Sequence, residues 1–460
     1  MSDLFGTDGI RGVANIYPIT SEMGVRLGRA VIALCTVNGF EPSVVIGNDT
    51  RSSGKMLEYA VASGVLSAAG KVWFAGELPT SGVSYLTREL GCGAGIMISA
   101  SHNSYEYNGF KVFSSQGYKL SEKEESDLEE LIACFGEGPH NRSISEVSGD
   151  TVILEDAASR YISFLEKTLP QEAVLNGMRV VLDCANGAAS MVAPFVFGHL
   201  GVETDVICGE PDGKNINRDC GSQHTERLRR RVLEIGADAG LAFDGDADRL
   251  IAVNEKGELL TGDQILVICA KMLKDQGRLK SNLVISTVMS NIGFNMALKQ
   301  LSIHQVATQV GDRQVIQEMR ERHAVLGGEE SGHIIFMEHH TTGDGLLSAI
   351  QLLSAMNFSG HPLSELSGLM TVFPQALVSV RINEKPDICS VPEVAEAITE
   401  VEKKLGKNGR VLVRYSGTEP VLRVMVEGED INTVQGYARW IGEVAKRNLF
   451  HSNSSDSSAG

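Results

Sequence analysis

Short runs of aliphatic residues alternate with stretches of helical periodicity along most of this chain. The sequence predicts strands at residues 44–47, 95–99, 179–183 and 239–243. Each of them ends at a turn or at polar residues. The stretches 121–135 and 157–168 repeat apolar residues at the 3.6-residue spacing of an amphipathic helix. Strands and helices in alternation predict layered α/β domains.

The chain is too long for one hydrophobic core. It has 460 residues, and chains longer than about 250–300 residues usually divide into several domains. The strand–turn–helix pattern starts again near residues 178 and 283, and after Pro374 it changes to a strand, a helical segment and two strands around 410–427. We therefore expect three α/β domains and a small α+β domain. The last ten residues are mostly small and polar and predict a disordered tail.

Charge and composition bear on partners and location. The formal charge is -17, from 58 acidic and 41 basic residues, so we expect neither nucleic acid nor a membrane as a partner. No run approaches the ~20 apolar residues of a membrane span, and the first residues do not resemble a secretory signal. We predict a cytoplasmic protein. The eight cysteines are scattered without metal-site spacing, which favours free buried thiols.

The segment Asp244-Gly245-Asp246-Ala247-Asp248-Arg249 follows a predicted strand. Three carboxylates at alternate positions can converge on one hard cation. An EF-hand calcium loop also begins this way, but Arg249 stands where that loop needs glycine, and residues 250–253 continue as a strand. A simple polar turn would not require three repelling carboxylates. The pattern favours a metal site.

The segment Ser99-Ala100-Ser101-His102-Asn103 also follows a predicted strand. A serine at a strand end beside histidine and asparagine is placed like an exposed nucleophile. Serine and asparagine clusters are more often ordinary turns, so this segment alone decides little. Lys111, ten residues after Ser101, is a candidate general acid or base, or an anchor for an anion.

Two further segments combine glycines with side chains that can bind anions or hydroxyl groups. Residues 414–420 combine backbone N–H groups and two hydroxyls with Arg414, and Arg423 lies just beyond. A hydrogen-bonded turn explains the Ser-Gly-Thr part equally well, but the arginines favour an anion site. Residues 327–333 carry carboxylates, a hydroxyl and an imidazole, which suit sugar hydroxyls. Arg11, among glycines, indicates little alone.

Taken together and in this order, these segments closely resemble the α-D-phosphohexomutase superfamily, and within it the bacterial phosphoglucosamine mutases. The resemblance covers residues 5–445, and the segments 215–224 and 341–345 also match the glucosamine branch. It implies three related α/β domains with mixed sheets plus a smaller C-terminal α+β domain around a central cleft. The expected boundaries are 1–156, 157–256, 257–372 and 373–447, with a disordered tail at 448–460.

The resemblance also implies roles for individual residues. Ser101 would carry the phosphoryl group, and Asp244, Asp246 and Asp248 would bind Mg²⁺ together with a phosphoserine oxygen. The residues implied to support the reacting phosphate are Arg11, Lys111, His102, Asn103 and Arg249. Those implied to contact the sugar are Glu329, Ser331, His333, Gly311 and Asp312. Those implied to hold the non-reacting phosphate are Arg414, Ser416, Gly417, Thr418 and Arg423.

The implied activity is an intramolecular phosphoryl transfer that interconverts glucosamine 6-phosphate and glucosamine 1-phosphate. It would use Mg²⁺, a bisphosphorylated sugar intermediate and a sugar 1,6-bisphosphate activator, and feed synthesis of UDP-N-acetylglucosamine. The alternatives are a phosphoglucomutase or phosphomannomutase, a phosphatase, and a non-catalytic sensor. Departures from the family pattern leave sugar preference open, at Ser104, Tyr107, Gln314, Glu330 and Tyr415. The sequence also leaves open whether the protein is a homodimer.

Overall fold

The computed structural model describes residues 4–6, 8–135, 149–383, 385–416 and 420–449. The chain divides into two compact units, of which one comprises residues 1–290 and 298–369 and the other residues 291–297 and 370–460. Within the described ranges, no helix is both long enough and apolar enough to span a membrane. The predicted tail lies outside these ranges except for residues 448 and 449, which belong to the last helix.

The first sheet has six strands in the order β1-β5-β4-β2-β3-β6. Strands β2, β3, β4 and β6 run parallel, β5 is antiparallel to β4, and the edge strand β1 is antiparallel to β5. The strands are β1 Ile10–Val13, β2 Ser43–Asn48, β3 Lys71–Glu77, β4 Ala94–Ile98, β5 Tyr107–Ser114 and β6 Thr151–Ile153. The helices of this region are α1 Ser21–Val37, α2 Gly54–Ser67, α3 Thr80–Glu89, α4 Glu122–Cys134 and α5 Ala157–Glu166.

The second and third sheets have the orders β11-β10-β9-β7-β8 and β13-β12-β14-β15. Their strands are β7 Arg179–Asp183, β8 Glu203–Ile207, β9 Ala239–Phe243, β10 Leu250–Asn254, β11 Leu259–Leu260, β12 Leu283–Thr287, β13 His304–Thr308, β14 Leu326–Gly328 and β15 Ile334–Phe336. The helices are α6 Ala193–His199, α7 Glu226–Ile235, α8 Gly262–Asp275, α9 Ile292–Gln300, α10 Asp312–Arg322, α11 Gly345–Ser359 and α12 Leu363–Ser367.

The three sheets share one arrangement. In each, a strand that runs parallel to its neighbour turns back through a short loop into an antiparallel strand. These loops are residues 99–106 after β4 (the serine loop), 244–249 after β9 (the metal loop) and 329–333 after β14 (the sugar loop). The expectation of three related α/β domains with mixed sheets is therefore confirmed.

Capping residues fix where several helices begin. Ser121 Oγ accepts a hydrogen bond from the backbone N–H of Glu124, and the Glu124 carboxylate accepts one from the backbone N–H of Ser121. This capping box makes Ser121 the N-cap, so α4 begins at Glu122, one residue after the predicted start. Thr261 and Gln264 form the same motif before α8. Asp344 accepts the N–H of Leu347 and caps α11. These caps satisfy N–H groups that would otherwise lack partners at a helix start.

The C-terminal unit holds one antiparallel sheet of order β16-β18-β17. The strands are β16 Gln375–Arg381, β17 Arg410–Tyr415 and β18 Val421–Glu427, and the helices are α13 Pro392–Leu405 and α14 Ile431–Leu449. Apolar side chains from both helices and the sheet form its core, including Val394, Val424 and Ile441. The expected small α+β domain is confirmed.

Candidate active site

Ser101 lies at the start of the serine loop, directly against the metal loop. Its Oγ lies 2.6 Å from Oδ2 of Asp244 and 3.3 Å from Nδ1 of His102. Its backbone has a φ of 52°, a left-handed conformation that costs free energy for serine and is often retained at functional sites. Of the two serines in the predicted segment, Ser101 is thus the one whose hydroxyl contacts the carboxylate cluster, because Ser99 donates to Asp49.

The three aspartates of the metal loop converge as predicted. Asp244, Asp246 and Asp248 are buried, and one oxygen from each lies within 4.8 Å of the others. The Oδ1 atoms of Asp246 and Asp248 have no hydrogen-bond partner. Burial and the charges of Asp248 and Asp246 raise the pKa of Asp244 well above its usual value. Unpartnered carboxylate oxygens in such a cluster fit a hard divalent cation, which would neutralise them.

Lys111 reaches the same carboxylates from β5. Its Nζ lies 2.7 Å from Asp246 Oδ2 and 2.9 Å from Asp248 Oδ2, and the side chain is fully buried. Burial alone would lower its pKa, but the carboxylates, Asp246 first, hold the pKa of Lys111 well above its usual value. The residue is therefore an ammonium ion, and its charge offsets part of the repulsion among the aspartates.

His102 and Arg249 adjoin the serine hydroxyl. Arg249 Nη1 lies 3.3 Å from Nδ1 of His102, and its Nε lies 3.9 Å from Asp244 Oδ2. Burial, followed by the positive charges of Arg249 and Arg11, lowers the pKa of His102 to about 4. His102 is thus neutral near pH 7, and Arg249 supplies the positive charge at this side of the site.

Asp8, which sequence reasoning did not select, joins several of the predicted residues. It pairs with Arg11 and Lys119, and its Oδ2 lies 3.1 Å from Lys111 Nζ. Burial alone would raise the pKa of Asp8, but the positive charges of Lys111, Lys119 and Arg11 hold it well below its usual range. Lys119 also pairs with Asp312. In the sequence, the segment around Asp8 indicates a role only for Arg11, through the family resemblance, and Lys119 carries no local signal.

The sugar loop lines a cavity next to the carboxylate cluster. A cavity of about 280 Å³ is bordered by all five residues implied for sugar contact, namely Glu329, Ser331, His333, Gly311 and Asp312, together with Asp8, Asp248, Arg249 and Glu330 among others. Neither ring nitrogen of the buried His333 has a hydrogen-bond partner, and its Nε2 lies 3.6 Å from Asp312 Oδ2. An unpartnered imidazole beside carboxylates in a polar cavity suits a ligand with several hydroxyl groups.

Arg51 and Asn217 hold the serine loop by its backbone carbonyls. The Arg51 guanidinium donates to the carbonyls of Ser101 at 2.9 Å and Asn103 at 2.8 Å, and also to those of Ser104 and Tyr107. Asn217 Nδ2 donates to the Ser101 and Asn103 carbonyls, both at 2.9 Å. Arg51 follows a predicted strand, as the catalytic loops do, and that position was the available signal.

The predicted phosphate loop belongs to the C-terminal unit. Arg414 on β17 pairs in register with Arg423 on β18, and burial together with the charge of Arg423 lowers the pKa of Arg414. The two guanidinium groups thus lie side by side on adjacent strands, and their planar N–H donors suit a phosphate. Ser416 is buried, while Gly417 and Thr418 lie outside the described residues.

The sequence matches the four domain models of the phosphoglucomutase/phosphomannomutase family. The alpha/beta/alpha domains I, II and III match residues 2–135, 159–257 and 261–373, and the C-terminal domain matches residues 377–441. The phosphoglucosamine mutase of Syntrophus aciditrophicus is 50% identical over 449 residues, which cover 98% of this chain and all of the relative. That of Syntrophobacter fumaroxidans is 51% identical over 448 residues, which cover 97% and 99% of the two chains.

Solved structures share the fold. A phosphoglucomutase/phosphomannomutase family protein from Burkholderia thailandensis has a TM-score of 0.80 at 22% identity and covers 97% of this chain and 98% of its own. An N-acetylphosphoglucosamine mutase from Aspergillus fumigatus has a TM-score of 0.66 at 16% identity, with coverage of 97% and 96%. Together with the full-length sequence matches, these similarities establish that the chain belongs to the phosphoglucomutase/phosphomannomutase family and, within it, to the phosphoglucosamine mutases.

Proposed function

We propose that this enzyme interconverts glucosamine 6-phosphate and glucosamine 1-phosphate in the cytoplasm, through a phosphoserine at Ser101. The contact that carries the proposal is the 2.6 Å approach of Ser101 Oγ to Asp244, inside a buried carboxylate cluster that fits a metal ion. The family and the full-length relatives support the reaction. The fungal relative was crystallised with GlcNAc-6P and magnesium, which supports a sugar phosphate as substrate and Mg²⁺ as the cation.

The reaction consists of two balanced transfers. In the first, a sugar hydroxyl oxygen bonds to phosphorus, the bond between phosphorus and Ser101 Oγ breaks, and the hydroxyl proton ends on the serine. In the second, Ser101 takes the other phosphoryl group from the bisphosphate intermediate and its proton passes to the sugar oxygen. A sugar 1,6-bisphosphate is thus the activator that loads an unphosphorylated serine.

The residues around Ser101 provide charge and positioning. Mg²⁺ bound to the three aspartates would act as a Lewis acid on the phosphoryl oxygens. Lys111 and Arg249 hold positive charge beside that position, which favours the negative charge of a transferring phosphoryl group. Lys111 is already protonated, so we assign it charge neutralisation in preference to the role of a base. Arg51 fixes the loop that presents the nucleophile.

The substrate is held by two kinds of contact in this proposal. Glu329, Ser331 and His333 bind the hydroxyl groups of the sugar in the cavity that they line. Arg414, Ser416 and Arg423 bind the phosphate that is not reacting, together with Gly417 and Thr418. The arginines on adjacent strands support this role, because guanidinium groups bind phosphate oxygens through paired N–H donors.

The test is a coupled assay with glucosamine 6-phosphate, Mg²⁺ and a trace of glucosamine 1,6-bisphosphate. We expect formation of the 1-phosphate, a loss of at least about 10³-fold in Ser101→Ala, and near-normal turnover in Ser104→Ala, whose side chain is exposed in the same loop. Peptide mass spectrometry should map the phosphate to Ser101. Faster turnover of glucose or mannose phosphates, release of inorganic phosphate, or full activity of Ser101→Ala would contradict the proposal.

A further inference from the structure

A second cluster of metal-ligating side chains lies in the second sheet, apart from the aspartates of the metal loop. Asp183 ends β7, Cys208 directly follows β8, and Cys220 precedes a short 3₁₀ helix at Gly221–Gln223. One ligand atom from each lies within 4.8 Å of the other two. The cysteines are twelve residues apart, so the fold brings together thiols that the sequence had suggested were scattered.

Each ligand atom is held by a hydrogen-bond donor. Arg227 Nη1 lies 3.9 Å from Cys208 Sγ, and Asn186 Nδ2 lies 3.7 Å from Cys220 Sγ. The two oxygens of Asp183 accept backbone N–H groups at 3.0 and 2.9 Å. Such contacts fix the orientation of metal ligands.

The cluster is accessible from one side. Cys220 and Asp183 are fully buried, whereas Cys208 is partly exposed and lines an open cavity of about 580 Å³. Asn186, Glu210 and Asn215 border the same cavity. An ion can therefore enter past Cys208 and keep a water molecule as a fourth ligand.

We propose that Asp183, Cys208 and Cys220 form a binding site for a thiophilic divalent cation of the zinc class. Two sulfurs of a tetrahedral zinc site lie about 3.8 Å apart, since each Zn–S bond is about 2.3 Å, and the observed cluster is compatible with that spacing. Binding converts both thiols to thiolates and releases two protons. Soft sulfur ligands disfavour Mg²⁺, so the two sites select different ions.

The site closes the base of a loop that contacts the active site. Residues 208–220 run from one cysteine to the other and carry Asn217, which holds the Ser101 and Asn103 carbonyls. The cation therefore links the two ends of a segment that supports the serine loop. The binding itself does not depend on the proposed function and is tested without an activity assay.

The test is a titration of the full chain with Cd²⁺ in saturating Mg²⁺, read by thiolate-to-metal charge-transfer absorption. The background carries Cys134→Ser and Cys389→Ser, which remove the two exposed thiols. We expect one equivalent to bind, displacement by Zn²⁺, and at least about tenfold weaker binding in Cys208→Ser or Cys220→Ser. Cys92→Ser, a buried thiol elsewhere, should bind normally.

Two outcomes would overturn the proposal. The first is the absence of a charge-transfer band at one equivalent of Cd²⁺. The second is a band that persists at full strength in Cys208→Ser, whose partly exposed position makes this the variant best able to keep its fold. Thermal melts of each variant without metal will establish that the fold is retained before binding is compared.

Discussion

Replacing Lys111 with methionine should destabilise the metal-free enzyme and make its stability depend more strongly on Mg²⁺. The Lys111 ammonium lies 2.7 and 2.9 Å from carboxylate oxygens of Asp246 and Asp248. At an effective dielectric constant of 20, each contact corresponds to about 6 kcal/mol of Coulomb attraction before desolvation. Desolvation of the buried ammonium offsets most of this, and removing one partner of a buried pair typically costs about 3–5 kcal/mol.

The assay is urea unfolding with and without saturating Mg²⁺. Without the metal, Lys111→Met should lose about 3–5 kcal/mol of unfolding free energy, because the carboxylates are left without their nearest buried cation. Mg²⁺ should restore part of this loss and stabilise the variant more than the wild type, since it neutralises the same oxygens. Lys404→Met is the matched control, because Lys404 forms a 2.7 Å ion pair with Glu400 at the surface.

The control should unfold as the wild type does, since exposed ion pairs contribute little. Lys111 does not stabilise the fold if Lys111→Met and the wild type unfold at the same urea concentration without Mg²⁺. If Mg²⁺ stabilises both proteins equally, Lys111 does not neutralise the carboxylates to which the metal is assigned.

Four further changes test other parts of the structure. Asp246→Asn should lose most Mg²⁺ affinity and turnover yet stay folded, and wild-type activity at sub-millimolar Mg²⁺ would contradict the assignment. Arg51→Lys should lower kcat at least about tenfold with unchanged Mg²⁺ affinity by calorimetry, because lysine lacks the planar fork that holds the serine loop. Glu330→Gln should lower kcat/KM for glucosamine 6-phosphate more than for glucose 6-phosphate, since the amino group is cationic; equal losses would exclude Glu330 from specificity. Burial lowers the pKa of His340 to about 3. The neutral side chain therefore stabilises the fold fully above the usual histidine pKa of about 6.5, and this stabilisation is lost as the pH falls below that value. Between pH 7 and 4 the wild type should lose roughly 3 kcal/mol of unfolding free energy that His340→Gln retains.

The elements with strong local patterns were predictable from the sequence. The strands at 179–183 and 239–243 were predicted with the bounds that the structure shows, because each is an apolar run that ends at a turn or at carboxylates. Helix α4 was predicted one residue too long at each end, from 121 to 135. Its N-terminal boundary was readable because Ser121 and Glu124 have the spacing of a capping box.

The side chains that the sequence did not predict make hydrogen bonds and ion pairs to residues far away in the chain. Arg51 reaches the serine loop 50 residues away, and Lys119 reaches Asp312 at a separation of 193 residues. Lys119 has no local signature and Arg51 has only its position after a strand, because the partners of a buried cation are whichever carboxylates and carbonyls the fold brings to it. The Cys208–Cys220 cluster was missed for the same reason: its third member, Asp183, belongs to a different strand.

The serine loop, the metal loop and the sugar loop divide the proposed functional groups among the three sheets, which bears on how such enzymes diversify. The proposed nucleophile, cation ligands and hydroxyl-binding groups each lie on the equivalent loop of a different sheet, so a change in one loop leaves the other two intact. The sugar loop packs closely against β10, the strand that follows the metal loop: a Cβ on Gly332 would lie 2.2 Å from the carbonyl oxygen of Leu250. A sugar loop taken from a relative must therefore keep this glycine, because any side chain at this position would collide with the backbone of β10.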